Sequence, residues 1–402
     1  MFENFKVSLF LAYKYLTGGN RGITIFTIFI LMLVFLQLVL VSGILGGATN
    51  RFNDLLIDYQ TGNVVIEPKE DTEHISDAHR LMSEINALPE VTGVSARLKG
   101  VGKIIYDDKS VGATVIGIDP LDENTVTKVN TALVDGEFIS KLDRGEIVLG
   151  REVSGGYDAL MESKSLGGVK VGDKVTLNIG SVDSEFRVKG IYTTLFFQID
   201  SAAYVNKKDL EEMLGIKNQD MADELAIKLN PGEDEAEFKK KLMGLGISEE
   251  IRVWQEFAGI VELLTRTLNT IGSILNAIGL LVAFVIIFIV IYINIINKRK
   301  QIGVQKAIGI SKSVIIASFM LQAIFYASCG MVLGFFTMQY VITPYTITHP
   351  FQLPIGPVNL WVSHMEALFR AVLLFLATII ASFIPAYLVA KEDLLNLILG
   401  LK

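Results

Sequence analysis

A short basic segment between two long apolar runs constrains this chain more than any other feature of its sequence. The segment, residues 298–312, contains no acidic side chain and five basic ones, which are Lys298, Arg299, Lys300, Lys306 and Lys312. The runs 268–296 and 313–341 on either side are each long enough to cross a bilayer core of about 30 Å as an α-helix. The segment must therefore lie just outside a membrane, and the positive-inside rule predicts the cytoplasmic side.

The charge of the chain is divided as sharply as its hydropathy. The 402 residues are 51% hydrophobic and carry a formal net charge of −7. Residues 49–265 contain 24 basic and 39 acidic side chains, a net charge of −15, which leaves +8 for the remainder. This mixture predicts a membrane protein with an acidic domain in a second solvent compartment. The acidity argues against nucleic acid as a partner of that domain.

The apolar runs and changes in composition predict four transmembrane helices and one large inserted domain. The predicted order is a cytoplasmic amphipathic helix (1–22), a first span (23–46), an extracytoplasmic α+β domain (47–259), a stalk and second span (260–297), the basic loop (298–312), a third span (313–342), an outer loop (343–364), a fourth span (365–390) and a cytoplasmic tail (391–402). Four spans place both termini in the cytoplasm. The alternative that the first run is a cleaved signal peptide is less favoured, because that run exceeds the usual apolar core of about 7–15 residues.

The inserted domain has the sequence pattern of two lobes. Strand–helix–strand patterns occur at both of its ends, in residues 63–98 and 224–254, and predict one ferredoxin-like lobe built from the two ends. Short strands bounded by glycines predict a second, β-rich lobe in residues 133–214. A helical pattern then continues to Ile296. Pro385 predicts a kink or break near the inner end of the fourth span, and four prolines predict an irregular outer loop.

Residue types that carry catalysis or bind metals are sparse and poorly spaced. His74 and His79 are five residues apart and do not share a helical face, and Cys329 lies alone in an apolar run. The sequence contains no phosphate-binding loop, nucleophile elbow or HExxH pattern. Apart from Arg370, the apolar runs 23–45, 268–296, 313–341 and 367–389 carry neutral polar residues rather than charges. We therefore expect neither an enzyme, nor a metal site, nor an ion-coupled carrier.

The basic segment and the span after it resemble a family signature. The stretch NKRKQIGVQKAIGISK is similar to the E/Q-I-G-x-x-K-A-[LI]-G core of the FtsX/MacB/Lol class of ABC transporter permeases. The matching residues are Gln301, Ile302, Gly303, Lys306, Ala307, Ile308 and Gly309. The order of one span, a large outer domain and three further spans is similar too. The stretches LAYKYL at 11–16 and GEIVLGREVS at 145–154 resemble the LolC/LolE lipoprotein-releasing branch.

The resemblance implies a fold, partners and a coupling site. It implies a four-helix membrane protein with a two-lobed MacB-like periplasmic core domain, and a dimer with a second permease copy or homologue. It also implies a separate cytoplasmic ABC ATPase that binds ATP, because this sequence has no Walker motif of its own, and no cofactor is expected on this chain. The basic loop would be the coupling site, formed by Lys298, Arg299, Lys300 and the seven matching residues. Gln301 replaces the usual glutamate, and no clear equivalent of the LolC hook that recruits a chaperone is present.

Three functions remain open from the sequence. The first is the permease subunit of a mechanotransmission-type ABC transporter in the cytoplasmic membrane, which moves its outer domain to export or extract a lipoprotein or another amphiphile. The second is an FtsX-like relay that regulates an extracytoplasmic partner without transport. The third, a static membrane-anchored binding domain, fits a neutral linker-like loop better than this basic one. Membrane lipid, and an outer protein or lipoprotein, are the further partners expected.

Overall fold

The computed structural model describes residues 2–18, 21–69, 72–217, 219–257 and 259–393. Its internal contacts divide the chain into two compact units. We call them the helical unit, which comprises Met1–Thr49, Leu264–Phe351 and Pro357–Lys402, and the β-rich unit, which comprises Asn50–Leu263 and Gln352–Gly356.

The α-helices of both units are numbered in chain order. They are α1 (Phe2–Thr17), α2 (Arg21–Leu56), α3 (Ala78–Asn86), α4 (Pro120–Val126), α5 (Arg151–Ser154), α6 (Phe197–Asp200), α7 (Lys207–Leu214), α8 (Glu235–Gly244), α9 (Trp254–Phe257), α10 (Gly259–Asn297), α11 (Arg299–Ala307), α12 (Lys312–Thr337), α13 (Thr343–Thr348) and α14 (His364–Lys391). Two π-helical turns extend these helices, Ile57–Thr61 after α2 and Met338–Ile342 between α12 and α13.

The strands are numbered in the same way. They are β1 (Val64–Glu67), β2 (Ile75–Ser76), β3 (Val91–Tyr106), β4 (Lys109–Ile118), β5 (Leu133–Gly136), β6 (Glu146–Gly150), β7 (Lys174–Ile179), β8 (Val182–Tyr192), β9 (Ala202–Asn206), β10 (Met221–Ala222), β11 (Glu224–Leu229), β12 (Glu250–Val253), β13 (Phe351–Leu353) and β14 (Gly356–Val358).

The helical unit contains the four membrane-length helices that the sequence predicts. Among the described residues, the helical stretches that are long and apolar enough to cross a membrane are Arg21–Thr61, Thr265–Asn297, Lys312–Thr348 and His364–Lys391. Glycines allow two of them to pack closely, because a Cβ at Gly330 would lie 2.7 Å from the Cβ of Leu31 and one at Gly334 would lie 2.6 Å from the ring of Phe35. Small residues at such positions let transmembrane helices approach each other.

Two details of the helical unit differ from the sequence prediction. Helix α14 continues through Pro385, which excludes the predicted break, while the alternative of a kink there stays a prediction. A transmembrane helix tolerates an internal proline when neighbouring groups satisfy the freed backbone carbonyls. The stretch 343–364, expected to be irregular, contains α13 and the paired strands β13 and β14. Of the predicted tail 391–402, residues 394–402 lie outside the described residues.

The first lobe of the β-rich unit is the ferredoxin-like fold expected from the two ends of the insert. Its strands lie in the order β12-β1-β11-β3, and every neighbouring pair is antiparallel. Helices α3 and α8 supply Leu81, Ile85, Phe238 and Leu242 to one apolar core with these strands. The crossover patterns β1-α3-β3 and β11-α8-β12 therefore form one layer of helices on one sheet.

The second lobe is a closed ring of strands with its own core. Strands β3, β4, β9, β6, β8 and β7 pair in that order, and β7 pairs back to β3. The sequence prediction of 133–214 for this lobe was too short, because β4 and the second half of β3 also belong to it. Strands β3 and β4 form a hairpin, with Tyr106 opposite Lys109 and a positive φ of 49° at Asp107.

Candidate functional site

The basic segment folds into a short helix, α11, with a well-formed C-terminal end. Gly309 has a φ of +91°. Its N–H donates to the carbonyl of Lys306 at 3.1 Å, and the N–H of Ile310 donates to the carbonyl of Gln305 at 3.0 Å. These two bonds form a Schellman motif, in which the left-handed position favours glycine. Gly309 therefore has a backbone role, in addition to its place among the predicted coupling residues.

One face of α11 is open to solvent in this chain. Its exposed residues fall within about 120° of the helical wheel at 100° per residue, and they are Lys300, Gln301, Val304, Ala307 and Ile308. The side chains of Val304 and Ile308 are 56% and 73% exposed. We call this surface the outward face of α11. Two exposed aliphatic side chains, flanked by a lysine and a glutamine, form a small patch suited to contact with another protein.

The opposite side of α11 is fastened to the C-terminal end of α1 through Lys298. The ammonium of this buried side chain donates to the carbonyl oxygen of Tyr15 at 3.1 Å and lies 4.2 Å from the centre of the Tyr15 ring. A cation at the C-terminus of a helix interacts favourably with the unpaired carbonyls and the helix dipole. Burial lowers the pKa of Lys298 to about 8.

Tyr15 connects α1 to two further elements of the helical unit. Its hydroxyl donates to Oε1 of Gln305 at 2.7 Å, and its ring stacks on Phe319 of α12 with 5.0 Å between ring centres. Burial raises the pKa of Tyr15, although its hydrogen bond to Gln305 opposes this effect. One aromatic side chain near the N-terminus thus links α1, α11 and α12.

A second lysine of α11 holds the C-terminal end of α14. The ammonium of Lys306 donates to the carbonyl oxygen of Ala390 at 3.1 Å and also to that of Glu392. The guanidinium of Arg299 donates through Nε and Nη2 to Oε2 of Glu392, at 2.8 and 2.5 Å. Burial also lowers the pKa of Lys306. Helix α11 is therefore held between the ends of α1 and α14.

The structure separates the ten predicted coupling residues into two groups. Lys300, Gln301, Ala307, Ile308 and Gly309 are exposed. The other five face the helical unit or are partly covered by it, and they are Lys298, Arg299, Ile302, Gly303 and Lys306. A coupling role for any of them stays a prediction.

Sequence reasoning overlooked four residues of this site. Val304 belongs to the outward face, while Tyr15, Gln305 and Glu392 hold α11 in place. The helical period places Val304 beside Ala307 and Ile308 and could have identified it. No sequence signal pairs Tyr15 or Glu392 with residues about 290 and 93 positions away.

Two of the four histidines contact carboxylates within the β-rich unit. Nδ1 of His74 contacts Asp223 and Nδ1 of His79 contacts Asp220, on either side of the pairing between β2 and β10. Within the part of the chain that the structure describes, no three His, Cys, Asp or Glu side chains are grouped so as to hold a metal ion.

The β-rich unit contains a buried ion cluster centred on Arg97. Its guanidinium donates to both carboxylate oxygens of Glu123, at 2.8 and 2.6 Å, and to Glu224 at 2.7 Å. All three side chains are at most 3% exposed. Burial alone would raise the pKa of Glu224, but the charges of Lys99 and Arg97 lower it below its usual value. Arg97 lies on β3, where that strand leaves β11 and begins to pair with β4.

Comparison with known proteins identifies the family of this chain. The model of the MacB-like periplasmic core domain matches residues 24–245, more than half of the chain, and that of the FtsX-like permease C-terminal domain matches residues 273–394. The chain belongs to the MacB/FtsX-like family of ABC transporter permeases. Because the first match covers most of the β-rich unit and four helices can span a membrane, the permease is a multi-pass membrane protein with an extracytoplasmic domain.

Individual relatives are more distant. The permease is 25% identical over 247 residues to an uncharacterized ABC transporter permease of Methanocaldococcus jannaschii, covering 58% of each chain. The periplasmic region of MacB from Actinobacillus actinomycetemcomitans matches 53% of this chain and 98% of its own length, with 13% identity and a TM-score of 0.37. The extracellular domain of YknZ from Gram-positive bacteria matches 48% of this chain and 98% of its own length, with 14% identity and a TM-score of 0.34. The lipoprotein-releasing branch stays a prediction.

Proposed function

We propose that this permease is the membrane subunit of a mechanotransmission-type ABC transporter and that the outward face of α11 receives the motion of a separate cytoplasmic ATPase. In this proposal the basic segment and both termini lie in the cytoplasm, ATP is bound by the ATPase, and a second permease copy or homologue completes the complex. The substrate is a lipoprotein or another amphiphile of the outer leaflet.

The observation that carries this proposal is the division of α11 into a fastened side and an open side. Val304 and Ile308 are exposed in a helix that lies beyond the end of a 39-residue helix, α10. A hydrophobic patch flanked by polar residues at such a place is suited to a docking partner. Small Ala307 and the exposed Gly309 let the surface of that partner approach the backbone.

The contacts on the fastened side support a role in transmitting motion. A push on the outward face is resisted by the lysine contacts to the ends of α1 and α14, so α11 moves together with these two helices. Motion of α10 would follow, because α10 ends at Asn297 and α11 begins at Arg299. Rigid helices that move as bodies are a common means of transmitting a change between distant sites.

The test is co-purification of the ATPase with the full chain, before and after Ile308→Glu. We expect this substitution to reduce the amount of bound ATPase and the stimulation of its activity at least about tenfold, because a buried unpaired carboxylate in an interface costs more than about 1.4 kcal/mol. Leu142→Glu is the matched control, since Leu142 is an 89% exposed residue of the β-rich unit. Full binding and stimulation by Ile308→Glu would overturn the proposal.

A second measurement separates transport from relay. Proteoliposomes that contain the permease and its ATPase would be incubated with ATP and a fluorescent lipopeptide in the outer leaflet. ATP-dependent loss of the lipopeptide to a soluble acceptor would support extraction. Stimulated ATPase activity without any loss, together with an extracytoplasmic protein bound to the β-rich unit, would instead support the FtsX-like relay.

A further inference from the structure

Strand β4 has a free edge along its first half. On one side the whole strand pairs with β3, but on the other side β9 pairs only with residues 114–118. In the part of the chain that the structure describes, residues 109–113 therefore have no strand beside them on that second side. At about 3.3 Å per residue this free edge is about 13 Å long, which is enough for a partner strand of about four residues.

Two residues of this edge direct their backbone groups away from β3. The two-residue turn at 107–108 makes Tyr106 and Lys109 a hydrogen-bonded pair, and such pairs alternate along an antiparallel ladder. The N–H and carbonyl groups of Ser110 and Gly112 therefore point to the free edge. None of these four groups has a hydrogen-bond partner among the described residues. Unpaired backbone groups at strand spacing form a template for another strand.

A cavity of about 400 Å³ lies beside the free edge. Ser110, Val111 and Gly112 form one wall, while α5, α6 and the stretch 161–164 form the opposite wall. The chain before β9 forms α6 instead of continuing beside β4, and this leaves the space open. A Cβ at Gly112 would meet nothing within 4 Å. Another backbone can therefore approach the edge without displacing a side chain of Gly112.

The opposite wall is fixed by hydrogen bonds and close packing. The carboxylate of Glu152 accepts from the N–H groups of Leu160 and Met161, at 2.8 and 3.0 Å, and so holds the loop after α5 on that helix. A Cβ at Gly150 would collide with the carbonyl oxygen of Asp200, which shows that α6 lies directly against the start of α5. The cavity is thus a property of the folded unit.

The opposite wall leaves two apolar side chains partly in water. Met161 is 44% exposed and Phe197 is 39% exposed. A strand laid along β4 alternates its side chains, so every second residue can contact this wall while the others meet solvent. Methionine adapts to apolar partners of different shape. Residues 49–265 carry a net charge of −15, which attracts basic side chains at the positions that meet solvent.

We propose that an extended segment of an extracytoplasmic protein adds to the free edge of β4 as a further strand. The segment has apolar residues at alternate positions, which contact Met161 and Phe197, and basic residues between them. Its backbone forms four hydrogen bonds with Ser110 and Gly112, which provide affinity, while the apolar contacts provide selectivity. The site does not depend on ATPase docking at α11.

The test measures the binding of a fluorescein-labelled hexapeptide of alternating lysine and valine to the full chain in detergent, by fluorescence anisotropy. Two further forms of the peptide carry N-methyl groups, one on every valine and the other on every lysine. Successive N–H groups of a strand point to opposite edges, so only one pattern removes the hydrogen bonds to β4. We expect that form to bind at least about tenfold more weakly, or about 1.4 kcal/mol, and the other to bind like the unmodified peptide.

Two outcomes of this measurement would overturn the proposal. Equal binding of the two N-methylated forms would mean that the peptide backbone does not pair with a strand edge. The other outcome is that the unmodified peptide shows no saturable binding up to about 1 mM. Because these peptides are compared on the unaltered chain, the result does not depend on whether any variant folds.

Variants of the chain assign the binding to this edge. Gly112→Pro removes one outward N–H at an edge position, where a sheet tolerates proline, and should weaken binding at least about tenfold. Gly112→Ala is the matched control, because it keeps the N–H and its Cβ meets open space. Phe197→Ala should weaken binding at least about threefold through lost apolar contact, whereas Leu142→Ala, at an 89% exposed residue outside the cavity, should not. Equal binding by the two Gly112 variants would contradict the assigned edge.

Two controls address other occupants. A second copy of this chain could use the same edge, in which case Gly112→Pro would reduce dimerisation in analytical ultracentrifugation without any peptide present. That result would overturn the assignment to a separate protein. A hexapeptide of alternating glutamate and valine should bind at least about threefold more weakly than the lysine form, because the region around the site is acidic. Equal binding of the two would contradict the basic character of the segment.

Discussion

Each of the two units of this permease contains a buried cation. The groups that surround the two cations differ. In the β-rich unit, Arg97 is paired with the carboxylates of Glu123 and Glu224, and all three are buried. In the helical unit, Lys298 is buried against a carbonyl oxygen and an aromatic ring. No carboxylate among the described residues forms an ion pair with it.

Because their partners differ, the contacts of Arg97 and those of Lys298 should differ in how easily they separate. A buried pair of full charges is costly to separate, because each charge would remain desolvated without its partner. A lysine on a helix end loses only part of a dipole interaction and regains water when it is released. We therefore expect the contacts around Arg97 to resist separation more strongly than the contact between α1 and α11, although both hold in the folded chain.

Removing the guanidinium from the ion cluster should have the largest effect. Arg97→Met leaves Glu123 buried without a counter-charge and Glu224 paired with Lys99 alone, and it should lower the free energy of unfolding of the β-rich unit by about 3–5 kcal/mol. The measurement is urea unfolding in detergent, followed through Trp254 fluorescence in a Trp361→Phe background, since the chain has two tryptophans.

The triple variant Arg97→Met, Glu123→Gln, Glu224→Gln controls for loss of packing. Because it removes the unpaired charges, it should recover part of the lost stability. If Arg97→Met alone lowers the free energy of unfolding by less than about 1 kcal/mol, the ion cluster stabilises its unit no more than the contacts of α11 stabilise theirs.

The titration of Lys298 should give the next largest effect. Its pKa of about 8 in the folded chain lies below the value of 10.5 for a free lysine. Between these two pKa values the folded state binds fewer protons than the unfolded state. The free energy of unfolding therefore rises with pH from about 8 to 10.5. Below pH 8, the contribution of Lys298 to the free energy of unfolding is constant. At 1.36 kcal/mol per pH unit, the rise is at most about 3 kcal/mol.

This rise is measured as the difference in unfolding free energy between the wild-type chain and Lys298→Met across that pH range. Taking the difference removes the contributions of other groups that titrate there. A difference that does not change with pH would mean that Lys298 is hydrated and that α1 does not cover it.

Releasing α1 should have a smaller effect. Lys298→Met removes the hydrogen bond to the carbonyl of Tyr15. At about pH 10, where the desolvated Lys298 is largely neutral, this loss should weaken docking of α1 by about 1 kcal/mol. Tryptic cleavage after Lys14 should then become about fivefold faster, because cleavage follows the population of the open state. Lys300→Met, on the outward face, is the matched control and should leave the rate unchanged. An equal acceleration in both variants would contradict the assigned contact.

The half-exposed ion pair of Arg299 should contribute least. The side chains of Arg299 and Glu392 are 22% and 35% exposed, so solvent screens their attraction. Glu392→Gln should lower the unfolding free energy of the helical unit by about 0.5 kcal/mol. Thermal unfolding in detergent would measure this loss, with Glu366→Gln on the same helix as the control. If Glu392→Gln lowered the unfolding free energy as much as Arg97→Met does, the charged contacts of the two units would not differ in strength.

The sequence was sufficient to predict the fold because that fold depends on local patterns. Apolar runs of membrane length give the four spans, and strand–helix–strand units at both ends of the insert give the ferredoxin-like lobe. The extent of the second lobe was not predictable in this way. The 16-residue strand β3 serves both lobes, and no local signal marks the point near Arg97 where its partners change.

The candidate site was predictable in part. The family-like residues 301–309 located α11, but the sequence did not show which of them face a partner. Lys306 and Lys298 have the residue type of positive-inside markers, yet their ammonium groups lie on the carbonyl ends of α14 and α1. Such contacts join residues far apart in the chain, and periodicity and composition do not report them. Gly309, by contrast, ends α11 as a local signal predicts.

Site-specific photocrosslinking in cells would show directly whether an ATPase docks on the outward face of α11. A benzophenone amino acid would replace either the exposed Ile308 or the buried Ile302 of the same helix. The account predicts an adduct between the permease and an ABC ATPase from position 308 and none from position 302. The absence of that adduct at 308, or equal adducts from both positions, would contradict it.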